Sequence, residues 1–275
     1  MKYRKLLALI LAGVLMIGLL TGCGGGNESG AGADSTDAEQ ESAQEAEISG
    51  ETADPAIVTT TAGQVRGTEN DGVYQFLGIS YAEAKERFVP AEAVTPWEGV
   101  RDADNWGNIS PQASFFGGGS DGQDNNCQNL NLWTSGTGGA EKRPVLVWFH
   151  GGGMTSGSAN GDGTSGANLA KAENVVVVTV NHRLGVLGYL DLSAYGEQYA
   201  QSGNVGVLDM VASLQWIHDN IAAFGGDPDN VTVFGQAGGG AKVLALMTTP
   251  YATGLLHKGI VTVQVLFAIF RSEKC

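Results

Sequence analysis

The sequence predicts an α/β fold, a mostly parallel β-sheet with helices packed against both faces. Three apolar runs are continuous rather than alternating, which is typical of central strands buried on both sides. They lie at residues 145–149, 175–180 and 231–234. A helix is predicted at residues 204–224, between the last two runs, because its apolar residues recur at helical spacing and glycines follow it. Long apolar strands that alternate with helices indicate this layered architecture.

The composition of the 275-residue chain limits the classes of function. The chain is long enough for one large domain or two small ones, and 43% of its residues are hydrophobic. Its formal net charge of −14 argues against a nucleic-acid partner, because little positive charge is present to neutralise phosphates. No cluster of His, Cys and Asp has the spacing of metal ligands, so neither a metal nor another cofactor is expected.

The first 23 residues are organised as an export signal. A positively charged start precedes an apolar stretch, residues 6–20, which is short for a lasting membrane span. The stretch runs into Leu-Thr-Gly-Cys and resembles a bacterial lipoprotein signal, in which Cys23 becomes the lipidated first residue. We therefore expect attachment through Cys23 to the extracytoplasmic face of the bacterial cell membrane. An ordinary secretory signal that happens to contain a cysteine is the alternative.

Residues 24–56 and 57–275 differ sharply in composition. The first segment has many acidic residues, no basic ones and almost no large apolar ones, so it is expected to be a disordered tether. The second segment is expected to be a single folded domain. Its first β-rich runs are predicted to be hairpin strands at one edge of the sheet. These runs lie at residues 57–61, 64–68 and 73–78; further strands are predicted at 130–133 and from residue 260.

A strand, a sharp glycine-rich turn and a helix follow one another between residues 231 and 247. This layout is typical of a nucleophile elbow, whose apex residue has a strained backbone and needs small neighbours two positions away on each side. Gly235 and Gly239 meet that need, and Gln236 and Gly238 flank the apex directly. The apex should be a serine, and in this chain it is Ala237.

Eight short motifs occur in order through most of the folded region. Together they resemble the N-terminal half of a type-B carboxylesterase, the family of cholinesterases and bacterial para-nitrobenzyl esterases, which has the α/β-hydrolase fold. The motifs are G-I-S-Y-A with R-F (78–88), P-W-E-G-V (96–100), P-Q (111–112), C-Q-N-L-N (127–131), H-G-G-G (150–153), N-H-R-L-G (181–185), G-N with L-D (203–209) and F-G-G-D-P (224–228).

The resemblance implies hydrolysis of small carboxylic esters through an acyl-enzyme. The tetrahedral oxyanion of that reaction needs fixed N–H donors, and losing one donor lowers the rate by about 100- to 1000-fold. By resemblance, Gly152 and Gly153 donate from the loop after the strand at 145–149, and Gly238 donates from the elbow. None of the four histidines matches the family's catalytic histidine.

Departures from the family pattern predict that this chain is inactive. Ala237 has no nucleophilic atom, and the triad acid and histidine would follow the last residue of this sequence, so the domain is expected to be truncated. Ser110 also stands where many relatives carry the cysteine that pairs with the one at Cys127. Two other interpretations remain open at this point. One is a non-catalytic binding or adhesion protein, as among inactive cholinesterase-like proteins, and the other is a truncated gene product with no function.

Overall fold

The computed structural model describes residues 54–113 and 122–262. These residues form ten strands and four α-helices, with short 3-10 turns between them. No helix in the described ranges is both long and apolar enough to cross a membrane. The strands β1 to β10 are Ile57–Thr59, Gln64–Arg66, Thr68–Asn70, Val73–Ser80, Val100–Asp102, Asn129–Thr134, Arg143–Phe149, Val176–Val180, Gly226–Gln236 and Lys258–Thr262. The helices α1 to α4 are Ala167–Glu173, Gly185–Tyr189, Val205–Asn220 and Gly238–Thr248.

A seven-stranded mixed sheet forms the framework, in the order β10-β9-β7-β8-β6-β4-β3. The strands β10, β9, β7 and β8 are parallel, whereas β6, β4 and β3 continue the sheet in antiparallel pairs. Parallel neighbours need crossover connections, and here α1, α3 and α4 supply them. The three continuous apolar runs lie in β7, β8 and β9, which are adjacent inside the sheet, as the sequence predicts.

The helices cover both faces of this sheet. Alternate residues of β8 point to opposite faces and pack in two different hydrophobic clusters. Val176, Val178 and Val180 pack in the larger core together with apolar residues of α3 and α4. Val177 faces the opposite way, into a smaller cluster that includes Ala170 of α1. All five residues of β8 are buried, which is why its sequence lacks the alternation of a half-exposed strand.

The first strands form hairpins, as predicted, but the prediction that they share one sheet edge was wrong, because they belong to two sheets. Strands β1 and β2 pair with each other, and β5 extends them into a separate three-stranded sheet. Strands β3 and β4 form the far edge of the main sheet. Gly67 lies between β2 and β3, where the chain passes from one sheet to the other. The chain packs closely there, because a side chain at this position would overlap the Phe76 ring and the carbonyl oxygen of Gln75.

A buried ion pair ties the loop after β8 to helix α3. The Arg183 guanidinium donates to both carboxylate oxygens of Asp209 at 2.7 and 2.8 Å, and both side chains are fully buried. Asp209 also accepts from the Arg183 backbone N–H and from Gln128, while Arg183 donates to the carbonyl oxygen of Val89 at 2.7 Å. These hydrogen bonds pair the two buried charges, whose burial would otherwise be strongly unfavourable.

We predict that Asp209→Asn destabilises the chain by about 3–5 kcal/mol, because the substitution leaves the Arg183 charge buried without its partner. Urea unfolding followed by circular dichroism measures this change. Asp219→Asn, on the same helix, is the matched control. Its carboxylate lies in an exposed pair with His218, so it should change stability by less than about 0.5 kcal/mol. Equal effects of the two substitutions would contradict the role assigned to the buried pair.

Candidate active site

The turn between β9 and α4 has the backbone conformation of a strained apex. Ala237 has φ of +52° and ψ of −118°, in a region that residues with a side chain rarely adopt. Its N–H donates to the carbonyl oxygen of Thr262 at the end of β10, and its own carbonyl accepts from Gly240 in α4. Gln236 is exposed on the strand side of the apex, and helix α4 begins at Gly238. The structure thus places an alanine methyl group where the elbow pattern calls for a nucleophile.

Close backbone packing explains the glycines two positions from the apex. A Cβ added to Gly235 would overlap the backbone of Gly239, so the strand and the helix touch directly. A Cβ on Gly239 would in turn overlap the carbonyl oxygen of Phe149, the last residue of β7. Only glycine fits these positions without moving the strand or the helix.

The glycine loop after β7 lies against the start of α4. Gly152 and Gly153 have φ of +85° and +65°, and the Gly152 carbonyl accepts from the N–H groups of Thr155 and Ser156 to close the turn. A Cβ on Gly238 would overlap the N and Cα atoms of Gly153. The three predicted oxyanion-hole glycines therefore meet at one place, with Gly153 and Gly238 in direct backbone contact.

Buried side chains pack against this glycine loop and form a hydrogen bond to it. The His150 ring stacks on the His182 ring with centroids 5.1 Å apart and planes 16° from parallel. The Lys242 ammonium, on α4, donates to the carbonyl oxygen of His150 at 2.8 Å. On the other side of the loop, the Gly185 N–H donates to the carbonyl oxygen of Met154 at 2.7 Å. The loop after β8 and helix α4 thus hold the glycine loop from two directions.

Burial controls the protonation of these basic groups. It lowers the pKa of His150 to about 3 and that of His182 well below its usual range, and the nearby Lys242 charge acts in the same direction. Both imidazoles are therefore neutral at pH 7, with each Nδ1–H donating to a backbone carbonyl. Desolvation also lowers the pKa of Lys242, to about 7. Charged and neutral Lys242 thus coexist near neutral pH.

Sequence reasoning missed Lys242. It lies in an apolar, helix-permissive run, and nothing local shows that its side chain is buried. The one available signal is a single charged residue among apolar residues immediately after the elbow. The part of the chain that the structure describes holds no group of three or more candidate metal ligands. Cys23 lies outside the described residues.

The strained conformation of the apex predicts that two Ala→Gly substitutions change the stability of the chain in opposite directions. Ala237→Gly should stabilise the chain by about 1 kcal/mol, because glycine adopts this backbone conformation without strain. Ala241→Gly, four residues along in α4, should destabilise it by about 0.5–1 kcal/mol, because glycine is unfavourable within a helix. Thermal melts of the two variants give the comparison. Destabilisation by both changes would show that the apex carries no strain.

Comparison with known proteins identifies relatives of this chain in sequence and in structure. Residues 54–268 match the Carboxylesterase family. Over 211 residues the chain is 43% identical to the para-nitrobenzyl esterase of Bacillus subtilis, covering 74% of this chain and 42% of that one. A solved esterase of Clostridium hathewayi, titled as able to hydrolyze aliphatic aromatic polyesters, is 48% identical with a TM-score of 0.72 over 74% of this chain and 42% of that one.

A carboxylesterase of Geobacillus stearothermophilus is similar in structure, with a TM-score of 0.71 and 43% identity over 75% of this chain and 43% of that one. The chain thus spans less than half the length of these relatives. The matched region contains the glycine loop and the elbow, in the arrangement of the α/β-hydrolase fold. On the evidence of its sequence, its sheet and these relatives, the chain belongs to the carboxylesterase family.

Proposed function

We propose that the chain binds small carboxylic esters at the elbow and the glycine loop without hydrolysing them. The observation that carries this proposal is Ala237 at the apex of an intact elbow. Serine esterases attack the ester carbonyl with a hydroxyl oxygen, and the methyl group of alanine has no lone pair with which to do so. The chemistry that the site retains is then limited to recognition of the carbonyl group.

The backbone donors support recognition independently of the nucleophile. The N–H groups of Gly152, Gly153 and Gly238 have no acceptor among the described residues, so they are free to bind an ester carbonyl oxygen. Their positions depend on backbone packing rather than on the side chain at position 237. The relatives named as esterases or hydrolases favour carboxylic esters as the ligand class.

We predict that the full chain binds methyl butyrate and releases no burst of p-nitrophenol from p-nitrophenyl butyrate. Loss of the nucleophile in a serine hydrolase lowers kcat about a millionfold, so turnover should be about a millionfold below that of an active relative, with no acyl-enzyme burst. Ligand-observed NMR detects the intact ester, and absorbance detects the burst. The Bacillus para-nitrobenzyl esterase serves as the positive control for turnover.

Two Gly→Ala variants test whether binding uses the proposed site. Gly238→Ala places a methyl group on the Gly153 backbone and should abolish ester binding, whereas Gly163→Ala adds a methyl group in open space and should not. A burst of about one equivalent of p-nitrophenol per chain would contradict the proposed absence of covalent catalysis. Equal ester binding by both variants would place the ligand elsewhere.

We also propose that the chain is a membrane-attached lipoprotein, on the evidence of the charged start, the apolar stretch and Cys23 in the sequence. Cys23→Ser should abolish incorporation of an alkyne-labelled fatty acid and release the chain from the membrane fraction or block its processing. Cys275→Ser is the control and should change neither result. A freely soluble mature protein that starts at another residue would rule out this mode of attachment.

A further inference from the structure

A groove lies between the N-terminal end of helix α3 and the C-terminal end of helix α4. Its lining comes from two segments, residues 200–208 and residues 245–251. Its cavity volume of about 360 Å³ lies within the usual range for small-molecule sites, which is roughly 300–1,000 Å³. The elbow is at the other end of the 11-residue helix α4, about 15 Å away, because each helical residue advances the chain by about 1.5 Å. The groove is therefore separate from the site described above.

Buried residues fix both walls of this groove. Ser202, in the wall before α3, is fully buried, and its hydroxyl oxygen accepts from the Leu192 N–H at 2.7 Å. In the opposite wall, Ala252 is buried and its N–H donates to the carbonyl oxygen of Thr249 at 3.3 Å. Because these contacts hold the walls without a ligand, binding in the groove requires little rearrangement.

The lining is polar but uncharged. None of the residues that line the groove has an acidic or basic side chain, so a charged ligand would lose its water without gaining a counter-charge. The side chains of Gln201, Thr249 and Tyr251 form no hydrogen bond with other described residues. These amide and hydroxyl groups are therefore available to a neutral ligand.

Asn204 adds an amide that its own helix does not use. It occupies the N-cap position of α3, where an asparagine side chain ordinarily accepts from a backbone N–H of the first turn. Here its side chain makes no capping hydrogen bond, and it lines the groove. Its oxygen and its NH₂ group are both available to a ligand.

The groove also has an apolar part. The partly buried side chains of Val207 and Leu208 line it, and so does the ring of Tyr251, which is 60% exposed. A purely apolar ligand would cover this part but leave the neighbouring amides and hydroxyls unpaired. A sugar ring has C–H surfaces and several hydroxyl groups, so it matches both parts of the lining, and a tyrosine ring offers it an apolar face with a polar edge.

We propose that this groove binds a neutral mono- or disaccharide. The side chains of Tyr251, Val207 and Leu208 contact the C–H surfaces of the sugar. The amides of Gln201 and Asn204 form hydrogen bonds with its hydroxyl groups. This binding uses no residue of the elbow or the glycine loop, so it is independent of the proposed ester binding.

The experiment measures binding of neutral sugars to the full chain by ligand-observed NMR and calorimetry. The probes are maltose, lactose, methyl β-glucoside and methyl β-galactoside, together with the uronate of each methyl glycoside as its charged counterpart. At least one neutral sugar should bind at millimolar concentration, and a uronate should bind at least about tenfold more weakly than its neutral glycoside. Binding of none of the neutral sugars would overturn the proposal. Equal or tighter binding of the uronates would overturn the assignment of a neutral ligand.

Two pairs of variants test whether the sugar lies in this groove. Tyr251→Ala should lower the affinity at least about tenfold, because it removes the aromatic contact, and Gln201→Ala should lower it about three- to tenfold through loss of a hydrogen bond. Tyr195 and Gln198 are exposed and lie outside the groove, so Tyr195→Ala and Gln198→Ala should leave the affinity unchanged. A thermal melt checks that each variant folds. Unchanged sugar affinity in folded Tyr251→Ala and Gln201→Ala chains would overturn the proposed site.

Discussion

The contact between the carbonyl oxygen of Phe149 and the Cα of Gly239 is the constraint on which the site depends. It brings the end of strand β7 against the first turn of helix α4 with no side chain between them. The loop that follows β7 therefore begins beside the elbow, and its glycine N–H groups reach the N-terminus of the helix. Because backbone atoms make this contact, the donor geometry does not depend on the chemical nature of the residue at the apex.

The same packing explains why the apex keeps its conformation with alanine. Strained backbone conformations persist where contacts with the surrounding structure hold them in place. Here the Ala237 N–H is bound to Thr262 on β10, and its carbonyl oxygen is bound to the first turn of α4. The elbow is thus a property of the strands and helix around it, and loss of the nucleophile removes a reacting atom without removing the site.

Local sequence patterns were sufficient to predict the central strands, the long helix and the elbow glycines. These features depend on apolar runs, on helical spacing and on steric needs that glycine alone satisfies. The separate three-stranded sheet was not predictable in the same way, since β5 joins β2 from a distant part of the sequence. The environment of Lys242 depends on His150, 92 residues away, so neither its burial nor its shifted pKa has a local signature.

The order of the strands in the sheet differs from their order in the chain, and this affects how the protein is made. Val147 of β7 pairs with Val178 on one side and with Val233 on the other. A ribosome therefore releases β8 long before β9, and one edge of the apolar strand β7 stays open while α3 is synthesised. Unpaired apolar strand edges in nascent chains are prone to aggregation. The donors around Ala237 come together only when β9 and α4 close that edge.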